Sequence, residues 1–246
     1  MAIRERLNET AALVTMLRRA GLIAPLRPDK YVRMVAAMAG ENFAPTCGFA
    51  SAAQRCPDRP GLVDERGTLT RRQLDQRCNS LSAAFQSLPG APKTFGIICR
   101  NHRSFVESVV AANRIGADVL LLNTSLAGPA LGSVIAREGA DVLIYDEEFT
   151  ETANRALLES PDTTRIVAWA DNSSPHEMTI DELIDRHEGQ QPKRPRSKGQ
   201  TILLTSGTTG APKGAKMSSG EAGTLKALLE RTPWRAEESV VGGSPV

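Results

Sequence analysis

The chain has 246 residues, 41% hydrophobic and 24% charged, with a formal net charge of +2. That length can bury roughly 70–75% of the unfolded surface, enough for one large domain or two small ones. Near-neutral charge and an aromatic content of 4% provide neither the electrostatic footprint nor the stacking platform that nucleic-acid binding needs.

Ile3, Leu7, Thr10, Val14 and Leu17 fall on one helical stripe, with Arg4, Arg6, Arg18 and Arg19 elsewhere, before Gly21 and Pro25 interrupt the pattern. A basic amphipathic helix can pack on the protein's own body or touch a membrane surface; the sequence favours packing over peripheral membrane contact. A second helix is expected near 31–38, so that residues 1–44 read as an N-terminal helical segment and the main domain starts at about Pro45.

From there, 50–55 reads as helix, 61–64 as a short strand, and 70–88 as a helix capped by Thr70. Apolar strands follow at 95–99, 119–122, 142–145 and 166–169, separated by helical stretches around 103–115, 128–138 and 148–158. Strands alternating with helices predict an α/β fold, a parallel sheet covered on both faces in three layers. A helix at 180–187 should end before 190–199, where Lys193, Arg194, Arg196, Lys198 and two prolines predict an exposed connector. A strand at 201–204 comes next.

Cys47, Cys56, Cys78 and Cys99 are widely spaced, without the paired spacing of a zinc or redox site, and read as reduced structural thiols. The longest apolar run is about six residues against the ~20 that span a bilayer, and no secretory signal pattern is visible. The expected location is the cytoplasm, with no membrane span. His102, His176 and His187 find no convincing partner in the sequence, so structural or solvated roles are favoured, and the acids Asp146, Glu147 and Glu148 read as helix-capping groups.

The most informative stretch is Thr205-Ser206-Gly207-Thr208-Thr209-Gly210-Ala211-Pro212-Lys213-Gly214. Its glycines permit backbone conformations that other residues resist, its hydroxyls donate hydrogen bonds, and Lys213 can neutralise a polyphosphate; together they predict a cradle for ATP. Pro212 before the lysine and Gly214 after it depart from the common P-loop, in which glycine precedes the lysine and a hydroxyl residue follows to hold magnesium.

This motif resembles the AMP-binding signature of the adenylate-forming superfamily, which includes acyl-CoA synthetases, luciferases and peptide-synthetase adenylation domains. The upstream segments 95–103 (FGIICRNHR), 112–117 (ANRIGA) and 122–125 (LNTS) resemble bacterial long-chain fatty-acyl-CoA synthetases. The resemblance implies that a fatty acid is activated with ATP to acyl-AMP and passed to coenzyme A, with Mg2+ accompanying the nucleotide. It also implies that Lys213 and Thr208 are catalytic, and that Thr205, Ser206, Gly207, Thr208, Thr209, Gly210 and Lys213 contact the triphosphate. No metal-ligating residue is assigned.

Family segments that follow the cradle are not among these residues. The resemblance therefore implies an N-terminal portion, with 45–246 the first part of the AMP-binding domain, and a sheet edge left unpaired. A noncatalytic remnant or interaction module, or an adenylating enzyme with another acyl acceptor, are the alternatives.

Overall fold

The computed structural model describes residues 25–42, 44, 46–170, 177–205 and 213–216, together with Val14, Thr15 and Arg18, which are helical. Helix α1 (Pro28–Gly40) and helix α2 (Cys47–Arg55) precede a small antiparallel hairpin of β1 (Pro60–Asp64) and β2 (Gly67–Thr70). The hairpin turns at Gly67, whose φ of +101° suits a residue without a Cβ. The sequence left β2 unpredicted, because Gly67-Thr68-Leu69-Thr70 holds a single apolar residue and so shows no apolar run.

Helix α3 (Arg71–Ser87) starts where expected, and the reason is local. Thr70 Oγ1 accepts from the Gln73 amide while the Gln73 side chain accepts from the Thr70 amide, a reciprocal capping box. Beyond it come β3 (Thr94–Ile98), α4 (Arg103–Arg114), β4 (Asp118–Leu121), α5 (Gly128–Glu138), β5 (Val142–Tyr145), α6 (Thr150–Ala156), β6 (Thr164–Val167), α7 (Ile180–Arg186), β7 (Thr201–Thr205) and β8 (Lys213–Lys216). The helix expected over 148–158 is α6 flanked by two 3-10 turns, Glu147–Phe149 and Leu157–Glu159.

The main sheet has the order β6-β5-β3-β4-β7-β8, parallel throughout except for β8, which runs antiparallel beside β7. Right-handed crossovers then dictate the layers. The steps from β3 to β4 and from β6 to β7 run in one direction across the sheet, whereas those from β4 to β5 and from β5 to β6 run in the other. Helices α4 and α7 accordingly cover one face with α3, and α5 and α6 cover the opposite face.

Side chains alternate between those layers. Val142 and Ile144 of β5 join Leu81, Phe85, Ala111 and Leu183, while Leu143 and Tyr145 join Leu131, Ile135 and Ala153. Phe85 and Phe95 stack with ring centroids 4.6 Å apart. Burial on both faces is what made the strands legible as unbroken apolar runs.

The segment 190–199 corrects one expectation. Although its cations are exposed, it is a strap held to the body: the Gln86 side chain bonds both the Lys193 amide and carbonyl, and Asn42 Nδ2 donates to Pro195 O at 2.7 Å. Pro195 and Gly199 are buried. A Cβ on Gly199 would lie 2.0 Å from Ala117 O, so the strap passes the start of β4 at a distance only glycine allows.

The four cysteines are free. Burial pushes the Cys78 and Cys99 thiols well above the ordinary range, which keeps them protonated and unreactive. Among the described residues, no helix is long and apolar enough to cross a membrane.

Candidate nucleotide site at the carboxyl edge of the sheet

Five parallel strands end along one edge, and the segments after β3, β4, β5 and β7 gather there. In open α/β sheets this is where ligands bind, at points where neighbouring connections leave toward opposite faces. Here the connection after β3 leads into α4 and the one after β4 into α5, on opposite sides of the sheet. Strand β7 lies beside β4, with Leu121 opposite Leu203.

The predicted cradle leaves this edge from the end of β7 and returns as β8. Thr205 and Lys213 are Cα partners in the antiparallel ladder, so the seven residues between them form an excursion whose two ends are clamped together. A strand for 213–216 was not expected from the sequence, since Lys-Gly-Ala-Lys has neither apolar alternation nor strand propensity. Of the predicted site residues, Thr205 and Lys213 are thus brought together by backbone pairing. Ser206, Gly207, Thr208, Thr209 and Gly210 lie outside the described residues.

Next to the cradle, Asn123 closes a turn after β4: its Oδ1 accepts from the Ser125 amide and its carbonyl from the Leu126 amide. Two strands away the edge is cross-linked by Asp146, which follows β5. Asp146 Oδ2 accepts from the Arg100 amide at 2.7 Å, and Oδ1 lies 2.9 Å from His102 Nε2. His102 in turn caps α4, its Nδ1 accepting from the Phe105 amide.

Two expectations change here. His102 has a partner after all, one that lies 44 residues away in sequence. Asp146 bonds across to the β3 loop instead of capping the turn that follows it. An acid placed directly after an apolar strand was the available signal, but pairing it required knowing that β5 lies beside β3.

Around this pair, the Trp169 ring lies 4.6 Å from His102 and 3.7 Å from the Arg66 guanidinium. Arg100 pairs with Glu148 through both its Nε and a terminal nitrogen, and that contact holds the Glu148 carboxyl below its usual range. His187 lies 3.3 Å from Ser87 Oγ and 3.0 Å from Leu183 O, far from this edge in the chain's layering. His176 is outside the described residues.

Residues 49–243 match the sequence profile of the AMP-binding enzyme family. The chain belongs to the AMP-binding enzymes. Among relatives, a medium/long-chain-fatty-acid–CoA/3-oxocholest-4-en-26-oate–CoA ligase of Mycolicibacterium smegmatis is 28% identical over 171 residues, covering 66% of this chain and 31% of the relative. Subunit 1 of the D-lysergyl-peptide-synthetase of Claviceps purpurea is 25% identical over 162 residues, covering 65% of the chain and 5% of that protein. A feruloyl-CoA synthase of Amycolatopsis is 32% identical over 122 residues, covering 49% and 22% respectively.

Solved structures agree on the fold. An anthranilate CoA ligase in complex with anthranoyl-AMP superposes with a TM-score of 0.63 at 19% identity, covering 71% of this chain and 34% of the other. A benzoate CoA ligase from Burkholderia xenovorans gives 0.58 at 18%, covering 76% and 36%. The chain spans about a third or less of the length of these proteins and just over a third of the benzoate ligase. Its α/β fold, with five parallel strands, is that of the N-terminal region of adenylate-forming enzymes.

The residues present fit a nucleotide's phosphates. In sequence the seven residues between Thr205 and Lys213 supply glycines and hydroxyls, and the pairing of those two residues brings the ends of the stretch together at the carboxyl edge. For a magnesium ion the described residues offer no cluster of three His, Cys, Asp or Glu side chains.

Proposed function

We propose that this AMP-binding enzyme chain carries the triphosphate-binding part of an AMP-forming fatty-acid–CoA ligase. The supporting observation is the pairing of Thr205 with Lys213, which holds the motif's first hydroxyl residue and its cation at the base of one loop at the ligand-binding edge. In this reading Thr205, Ser206, Gly207, Thr208, Thr209 and Gly210 donate backbone and hydroxyl hydrogen bonds to the ATP phosphates. Lys213 and Thr208 stabilise charge as a fatty-acid carboxylate attacks the α-phosphate, giving acyl-AMP and pyrophosphate. Mg2+, when bound with the nucleotide, would neutralise part of the phosphate charge. Coenzyme A thiol then displaces AMP. Residues 45–246 form the first part of the AMP-binding domain and 1–44 a separate helical segment.

A second reading is favoured by the breadth of the relatives, which include peptide synthetases and aryl-CoA ligases: adenylation of a different carboxylic acid, passed to another acceptor. A third keeps the fold without turnover, as an interaction module. Carboxylate-dependent ATP–pyrophosphate exchange separates all three. Exchange with long fatty acids that is lost in Lys213→Ala supports the ligase, and exchange with aryl or amino acids alone replaces the fatty-acid substrate. A folded chain that binds ATP but exchanges with no acid fits both a ligase part that needs the rest of its domain and the third reading, and the same assay on a chain extended by the family's later segments decides between them, exchange supporting the ligase and none the third.

A further inference from the structure

Helix α1 is apolar on the side that faces away from the rest of the described residues. Its inner side packs on α2, with Lys30 Nζ donating to Arg55 O, and no residue of the helix is buried. On the outer side Val32, Val35, Ala36 and Ala39 follow the i, i+3, i+4, i+7 spacing of a single stripe. Val32 is 68% exposed and Val35 56% exposed. An amphipathic surface helix would carry polar residues there.

The rim of that stripe is cationic. Arg27 and Arg33 flank its start, both paired to Asp29. At its far end the Arg194 guanidinium donates to Ala39 O at 3.0 Å and to Asn42 Oδ1, which fixes the basic strap against the helix. Lys193, Arg194, Arg196 and Lys198 are all exposed.

Residues 25–42 and 191–200 together carry a formal charge of +5, whereas the rest of the chain nets −3. One of the two acids in these stretches, Glu41, is buried against Arg114. The positive charge of an otherwise acidic protein is therefore gathered around one exposed apolar helix face, joined by contacts 155 residues apart in sequence.

We propose that this face docks on an anionic phospholipid surface, with α1 lying in the interface plane, Val32 and Val35 among the acyl chains, and the strap's cations on the headgroups. Apolar insertion combined with basic flanks is what interfacial helices use, and cations near an anionic leaflet add attraction that salt screens. The scarcity of aromatics argues against the same patch serving single-stranded nucleic acid.

The test is co-sedimentation of the full chain with sucrose-loaded vesicles of phosphatidylcholine, with and without phosphatidylglycerol. Binding is expected only to the anionic vesicles and should weaken about tenfold or more in Arg196→Glu/Lys198→Glu and in Val32→Glu/Val35→Glu. Both pairs are exposed, so their melting temperatures should match the wild type. Equal binding to neutral vesicles, or binding unaffected by either pair, overturns the proposal. So does a large loss of thermal stability in the valine pair, which would mean that the chain's own residues cover the stripe, or its conversion of a dimer to a monomer, which would assign the face to a second copy.

Discussion

Arg114 Nε donates to Glu41 Oε1 at 2.6 Å across 73 residues of sequence, fastening the turn after α1 to the end of α4. The guanidinium is almost wholly buried and is shared with Asp75 Oδ1, Asp75 O and Asn79 Oδ1. One cation thereby holds the helical segment, α3 and α4 together. Among the described residues Glu41 Oε2 has no hydrogen-bond partner, and burial moves its carboxyl above the usual range despite Arg114.

Removing the cation leaves the Glu41 and Asp75 carboxylates without the counter-charge they share. Arg114→Met should cost about 3–5 kcal/mol, the usual penalty for an uncompensated buried charge. Glu41→Gln should cost much less, because the amide oxygen still accepts from Arg114 and Asp75 still neutralises the buried guanidinium. Urea denaturation of the two variants checks the order; equal losses would show that the cluster is not an electrostatic clamp.

Asp64 titrates in the opposite sense. Burial alone would raise its carboxyl, but hydrogen bonds from the Arg103 side chain and amide, and the Arg103 charge, bring it down to about 2. Because the folded-state value lies below the unfolded value of 3.8, its contribution is present above pH 4 and is lost as pH falls toward about 2. Asp64→Asn should cost roughly 1–2 kcal/mol at pH 7 and almost nothing near pH 2. Denaturation midpoints at the two pH values measure this.

His102→Ala removes a helix cap and the partner of Asp146 together. A loss of about 1–2 kcal/mol is expected, with His102→Asn recovering the part due to capping. Hydrogen exchange at the Phe105 and Arg100 amides distinguishes the two contributions, since only the first should be re-protected by asparagine.

Gly199→Ala tests the close passage of the strap over β4. A methyl group there meets the Ala117 carbonyl, so the strap must shift, at a cost of about 2 kcal/mol or more. Gly40→Ala, where nothing lies within 4 Å, is the matched control and should be neutral or slightly stabilising. Thermal melts of both suffice.

Lys213→Ala should lower nucleotide-dependent exchange about 10- to 100-fold, the equivalent of one charge-assisted hydrogen bond, while leaving the melting temperature unchanged. Lys213 begins the outermost strand and its ladder bonds are made by the backbone, which the substitution preserves.

Sequence alone showed the alternating strands and helices, the Thr70 cap and the ten-residue motif, because each rests on neighbours in the chain: periodicity, a cap that spans four residues, a run of glycines and hydroxyls. The strand order β6-β5-β3-β4-β7-β8, the pairing of His102 with Asp146, the anchoring of the strap and the return of the motif as β8 were decided only by tertiary structure. Each depends on which segments the crossovers set side by side. Neither a lone acid after a strand nor four cations in a proline-rich stretch identifies a partner 44 or 155 residues away, since that proximity arises from packing the layers and not from any local preference of the residues themselves.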